Sequence, residues 1–131
     1  MKKDNKGFSL VELIIVIAIM AVLIGILAPT YMRFVQRSKV STDITNAQEM
    51  ATAINTAITD GVTIGGINNG TNTAANVDVT GLPGFTKMPA SKVNKDYEWK
   101  VTWDNTDGVK EITLGGKQIY PDPTDYHTEN D

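Results

Sequence analysis

One acid, Glu12, stands inside an apolar stretch, four residues after Phe8 and five after Gly7, and the first question the chain poses is what that carboxylate does. A charged side chain at the centre of a membrane helix costs roughly 2.5–3.5 kcal/mol, and less near the interface, so it needs either a partner or a route to water. No Lys or Arg follows it for many residues, which leaves two readings: a carboxylate that pairs with a group outside its own helix, or one that snorkels to the interface. Other chemistry is scarce. Cysteine is absent and His127 is the one histidine, so a disulfide is excluded, and zinc or haem would lack ligands. A Ser-His relay would rest on His127 alone, in an acidic tail. Asp122, Asp125, Glu129 and Asp131 could offer oxygens to Ca2+, but their spacing resembles no EF-hand, and a solvated tail is the favoured reading. Asn69-Gly70-Thr71 matches a glycosylation sequon.

The element that must position Glu12 is plain. Leu13 to Met32 is 20 residues (32 − 13 + 1) without a charge, and at about 1.5 Å per residue it reaches roughly 30 Å, the thickness of a bilayer core. Eleven of these are Leu, Ile or Val, which together favour insertion by roughly 3–7 kcal/mol. Lys2, Lys3 and Lys6 against Asp4 place the N-terminus on the cytoplasmic side by the positive-inside rule, although Arg33, Arg37 and Lys39 weaken that bias. An ordinary secretory signal would follow its apolar core with a small-residue cleavage site, and none stands here.

Beyond Pro29 the pattern becomes amphipathic. Val40, Ile44, Ala47, Ala51, Ile54 and Ile58 recur every three or four residues as one apolar stripe, with Ser41, Asp43, Asn46, Gln48, Asn55 and Thr59 off it, until Asp60-Gly61 supplies a stop. Residues 61–94, rich in Gly, Asn and Thr, read as loop with short strand pieces. Tyr97, Trp99, Val101 and Trp103 alternate with polar residues as a half-buried strand does. A turn at Asn105-Thr106-Asp107-Gly108 leads to a second strand, Val109 to Leu114, and Lys117 to Tyr120 makes a third. The expectation is an α+β chain: a long N-terminal helix, membrane-spanning then amphipathic, packed on a small antiparallel sheet of three to four strands. A head of this size seldom holds a core alone, so the stripe is expected to cover Trp99, Val101 and Trp103. The net charge of −3 and the absence of a basic, aromatic patch argue against direct nucleic-acid binding.

Lys6-Gly7-Phe8-Ser9-Leu10-Val11-Glu12-Leu13 followed by an apolar run and Pro29 resembles a type IV prepilin. The resemblance is detailed over about residues 1–35 and extends in outline to helix plus sheet. It implies a leader at 1–7, a membrane and filament-core helix at 8–35, an amphipathic half at 36–60 and a β head at 61–131. It further implies cleavage between Gly7 and Phe8 by a prepilin peptidase, N-methylation of Phe8, and polymerisation of copies into a helical filament. In those roles Gly7 lets the scissile peptide approach a protease closely, and Glu12 pairs with the new Phe8 amine of its own or a neighbouring chain. Gly25 and Pro29 mark a helix break, read either as a segment that unwinds in the fibre or as a mild kink. The implied partners are an assembly platform and its ATPase, with no cofactor and no active site in the chain itself. The implied location is the cytoplasmic or inner membrane before assembly and the cell surface after it, for adhesion or twitching motility. Two alternatives share the first 35 residues or the anchor: a pseudopilin of a secretion or DNA-uptake machine, and a bitopic membrane protein that never polymerises. Many Gram-negative members close a C-terminal loop with a disulfide, and the lack of Cys points instead to a Gram-positive or anaerobic source.

Overall fold

The computed structural model describes residues 7–62, 75–76, 79–104 and 106–130. The element order is a helix α1 (Leu10–Thr59), strands β1 (Ala75–Asn76), β2 (Trp99–Asp104), β3 (Gly108–Leu114) and β4 (Lys117–Tyr120), and a short helix α2 (Thr124–Asn130). The four strands form one antiparallel sheet in the order β1-β2-β3-β4. This is the expected α+β arrangement. Residues 1–6, which fall in the expected leader, the Asn69-Gly70-Thr71 sequon and Asp131 lie outside the described residues.

The ends of α1 follow from local chemistry. Ser9 precedes the first helical residue, and its carbonyl accepts the Leu13 N–H at 3.1 Å. At the other end the Gly61 N–H donates to the Ile58 carbonyl at 3.1 Å and the Val62 N–H to the Ala57 carbonyl at 2.8 Å. That pair of bonds requires a left-handed residue, which Gly61 supplies with φ 71°. Pro29 lies inside α1, where it removes the hydrogen bond that a residue there would give the Gly25 carbonyl. The helix nevertheless continues through both positions.

The chain divides between Val35 and Gln36 into two compact units. In the first, large apolar side chains from Phe8 to Phe34 are exposed along the whole helix. In the second, Val40, Ala47, Ala51 and Ile54 are buried together with Trp99, Val101, Trp103, Ile112, Leu114 and Ile119 in a single cluster, with Ile44 and Ile58 packed at its margin. The alternation of β2 holds as read: Trp99, Val101 and Trp103 face the core while Lys100 faces water. A register shift between Thr102 and Trp103 leaves Lys110 of β3 without a partner, and its ammonium swings to Asp104 at 2.8 Å. The Asp107 backbone N–H and then that ammonium hold the Asp104 carboxyl below the usual carboxylate range.

Two sequence expectations need correction here. Asp43, set among the polar residues off the apolar stripe, is fully buried. It accepts hydrogen bonds from the Ser91 hydroxyl at 2.6 Å, the Tyr126 hydroxyl at 2.6 Å, and the Lys92 and Val93 N–H groups at 2.7 and 3.4 Å. These donors compensate the carboxylate for lost water. The C-terminal stretch is likewise more than a solvated tail: the side chains of Asp122 and Asp125 are exposed, but residues 124–130 form α2, anchored by buried Tyr126. The Asp122 carboxylate caps α2 by accepting from the Thr124 N–H and hydroxyl. Gln36 donates to the Asn130 carbonyl at 2.7 Å and closes the other end.

Candidate functional site

The N-terminal residues singled out by the sequence fall into two places. Gly7, Phe8 and Glu12 come together with Ser9 around an open concavity of about 360 Å3, whereas Gly25 and Pro29 lie further along α1. Gly7, Phe8 and Ser9 precede the helix, so the Gly7–Phe8 peptide stands outside its hydrogen-bond ladder. A side chain at Gly7 would meet nothing within 4 Å, and Gly7 is not among the left-handed glycines. Among the described residues, neither space nor backbone conformation therefore requires glycine at that position. Phe8 is 81% exposed.

Glu12 already has a partner within the chain, which sequence reasoning missed. Its carboxylate accepts the Ser9 N–H at 3.4 Å, while its own N–H donates to the Ser9 hydroxyl at 3.3 Å. This is a capping box, and the Ser-x-x-Glu spacing that announces it was legible in the sequence. The bonds are long and exposed, so the carboxylate keeps lone pairs for a second donor. A negative charge in the first turn also favours the helix dipole.

Beyond this cap the helix presents Leu13, Ile14, Ile15, Ile17, Leu23 and Leu27, each more than half exposed, on every side. It is long and apolar enough to cross a membrane, and none of its most apolar stretch is buried within the chain. Among the described residues no group of three acidic or histidine side chains is placed to hold a metal ion.

The family model described as the prokaryotic N-terminal methylation motif matches residues 2–28. The type IV major fimbrial protein FimA of Dichelobacter nodosus is 44% identical over 61 residues, which are 47% of this chain and 39% of that protein. A fimbrial protein of Pseudomonas aeruginosa is 33% identical over 115 residues, covering 86% of this chain and 70% of that one. The chain belongs to the type IV pilin family. The type IV major alpha-pilin of Moraxella bovis agrees, at 31% identity over 113 residues and the same two shares. The matched part of this pilin spans about two fifths of the length of the Dichelobacter proteins. No solved structure matches the chain. The relatives are fimbrial proteins and a pilin.

Proposed function

We propose that this pilin is the structural subunit of a type IV pilus, carried in the membrane by its N-terminal helix and then polymerised through it into a surface filament. The observation that carries the reading is the unburied apolar surface from Phe8 to Phe34. At roughly 25 cal/mol per Å2, water cannot be its neighbour in a stable state, so lipid covers it before assembly and copies of the same helix cover it after. In this reading residues 1–7 are a leader, 8–35 the membrane and filament-core segment, 36–60 the amphipathic half and 61–131 the head.

Prepilin peptidase hydrolyses the Gly7–Phe8 bond, and the new Phe8 amine is methylated. A glycine that none of the described residues demands fits an external protease that must approach the backbone closely. The Phe8 ammonium then finds the Glu12 carboxylate of a neighbouring chain, in a packed apolar interior where the attraction is strong and a wrong axial register is punished. Gly25 and Pro29, where one helical bond is already missing, mark the segment that unwinds on packing. An assembly platform and its ATPase supply the work, and the filament serves adhesion or motility.

The capping box dictates how the Glu12 role is tested. Glu12→Ala would remove cap and charge together, whereas Glu12→Gln keeps a capping acceptor and loses only the charge. With Glu12→Gln as the sole copy, membrane-fraction protein should hold while sheared surface filaments disappear, since each subunit loses a buried pair worth about 3–5 kcal/mol. Native filaments should begin at Phe8 and carry one extra methyl by intact mass. Retention of Met1 to Gly7, or abundant filaments from Glu12→Gln, would refute the reading.

A further inference from the structure

In the second unit, the face of α1 opposite the core has an unusual composition. Thr42, Thr45, Glu49, Thr52, Thr56 and Thr59 recur at spacings of 3, 4, 3, 4 and 3, all exposed, as a stripe on the far side from Val40, Ala47, Ala51 and Ile54. Glu49 is the one charged residue among the exposed positions between Ser41 and Thr59. A helix face meant for water normally takes Lys, Glu, Arg or Ala, and threonine is a poor helix former. Each of the five threonine hydroxyls donates to the carbonyl four residues earlier, at 2.9–3.0 Å. The donors are therefore satisfied inside the helix, and the methyl groups are left to face outward. Such a ridge can be covered by another protein surface without orphaning a donor, as polar side chains are in membrane helix packing.

Two further features say what covers it. Pro83 and Phe85 stand beside Gln48, Thr52 and Thr56 and enclose a groove of about 500 Å3, open along the stripe. Arg37 and Lys39 are exposed on the same helix with no ion pair within 4 Å among the described residues, about three turns before Glu49 and so out of its reach within one chain. A second copy displaced along the helix brings those cations level with the one charge of the stripe.

We infer that the threonine stripe and the Pro83–Phe85 groove form a docking face for a second copy of this chain, with Glu49 meeting Arg37 or Lys39 of that copy. The inference rests on the pilus reading and extends its contacts beyond the apolar helix into the head. Its test uses the full chain as the sole subunit, reading membrane-fraction protein, protease resistance of the head and sheared surface filaments.

Thr52→Lys with Thr56→Lys should leave the first two readouts unchanged, because lysine suits an exposed helix at least as well, while surface filaments fall about tenfold or more. Thr52→Val with Thr56→Val should assemble normally, since the hydroxyls it removes are spent internally. Glu49→Arg should reduce filaments, and adding Arg37→Glu with Lys39→Glu should restore them, which identifies the occupant as another copy. Normal filaments from the lysine pair, lost filaments from the valine pair, or no restoration by the charge exchange would each overturn the inference. No filaments from the unaltered chain would defeat the pilus reading itself, whereas filaments from the unaltered and lysine chains alike would defeat only this face.

Discussion

Asp43→Ala is the substitution that asks most of the second unit. In the folded unit the carboxylate gathers two hydroxyls at 2.6 Å and a backbone N–H at 2.7 Å, with a fourth donor at 3.4 Å. Hydrogen bonds to a charged group contribute about 1.5–3 kcal/mol each, and a buried donor left unpaired costs about 1–3 kcal/mol. Three good bonds would suggest a larger loss than is expected. Part of it is returned because alanine needs no desolvation and the Ser91 hydroxyl can turn elsewhere. A net loss of about 3–5 kcal/mol follows, against a total of about 5–14 kcal/mol for a unit of this length.

The assay is urea unfolding of a chain truncated to Gln36–Asp131, which contains the entire buried cluster. The midpoint should fall sharply while the slope stays constant, because the surface exposed on unfolding is unchanged. Tyr126→Phe alone should cost about 1–2 kcal/mol, and adding it to Asp43→Ala should cost almost nothing more, since both remove the same bond. A loss within about 1 kcal/mol for Asp43→Ala, or full additivity with Tyr126→Phe, would refute the view that Asp43 ties α2 and the 91–93 loop to α1.

Two further outcomes can be checked on the same truncated chain. Burial first, and then the hydrogen bond to Asp43, push the Tyr126 hydroxyl above its ordinary value near 10. Below that pH both states keep the proton and stability is full; above it the unfolded chain releases a proton that the folded chain retains, so stability should fall by about 1.4 kcal/mol per pH unit, and Tyr126→Phe should lack this contribution. Trp99 and Trp103, 6% and 1% exposed, should resist acrylamide quenching until the unit unfolds, and free quenching under native conditions would contradict the packing.

What could be read from the sequence was whatever depends on periodicity and on strong local signals. The stripe from Val40 to Ile58, the alternation through Trp99, Val101 and Trp103, and the strand from Lys117 to Tyr120 all stand where their patterns placed them. The glycine stop at Gly61 was legible for the same reason. Asp43 was not, because an acid enters a core only when donors distant in sequence converge on it, and Ser91, Lys92 and Tyr126 lie 48, 49 and 83 residues away. The helical α2 was hidden by the same dependence, since a short acidic, proline-led segment has little helix signal until Tyr126 is anchored. Ser9 was a different kind of miss: its capping role is local, and attention to the charge of Glu12 obscured its spacing.

The two units of this pilin solve opposite solvation problems with residues of one helix, α1. From Leu13 to Met32 the side chains carry no charge and are apolar on all sides of the helix, which suits lipid and a bundle of like helices but no aqueous state. From Val40 onward one face is spent on the sheet, leaving only its opposite face to meet neighbours. A face built of lysine and glutamate would hold the head in water and resist close approach by other copies. Threonine with its hydroxyl turned inward is tolerable in water before assembly and cheap to bury afterwards, because the same internal bond serves both states. In the pilus reading proposed above, a subunit that passes from lipid to filament without unfolding its second unit needs that indifference to solvent along its helix. Here it extends past the apolar segment into the second unit, to Thr59.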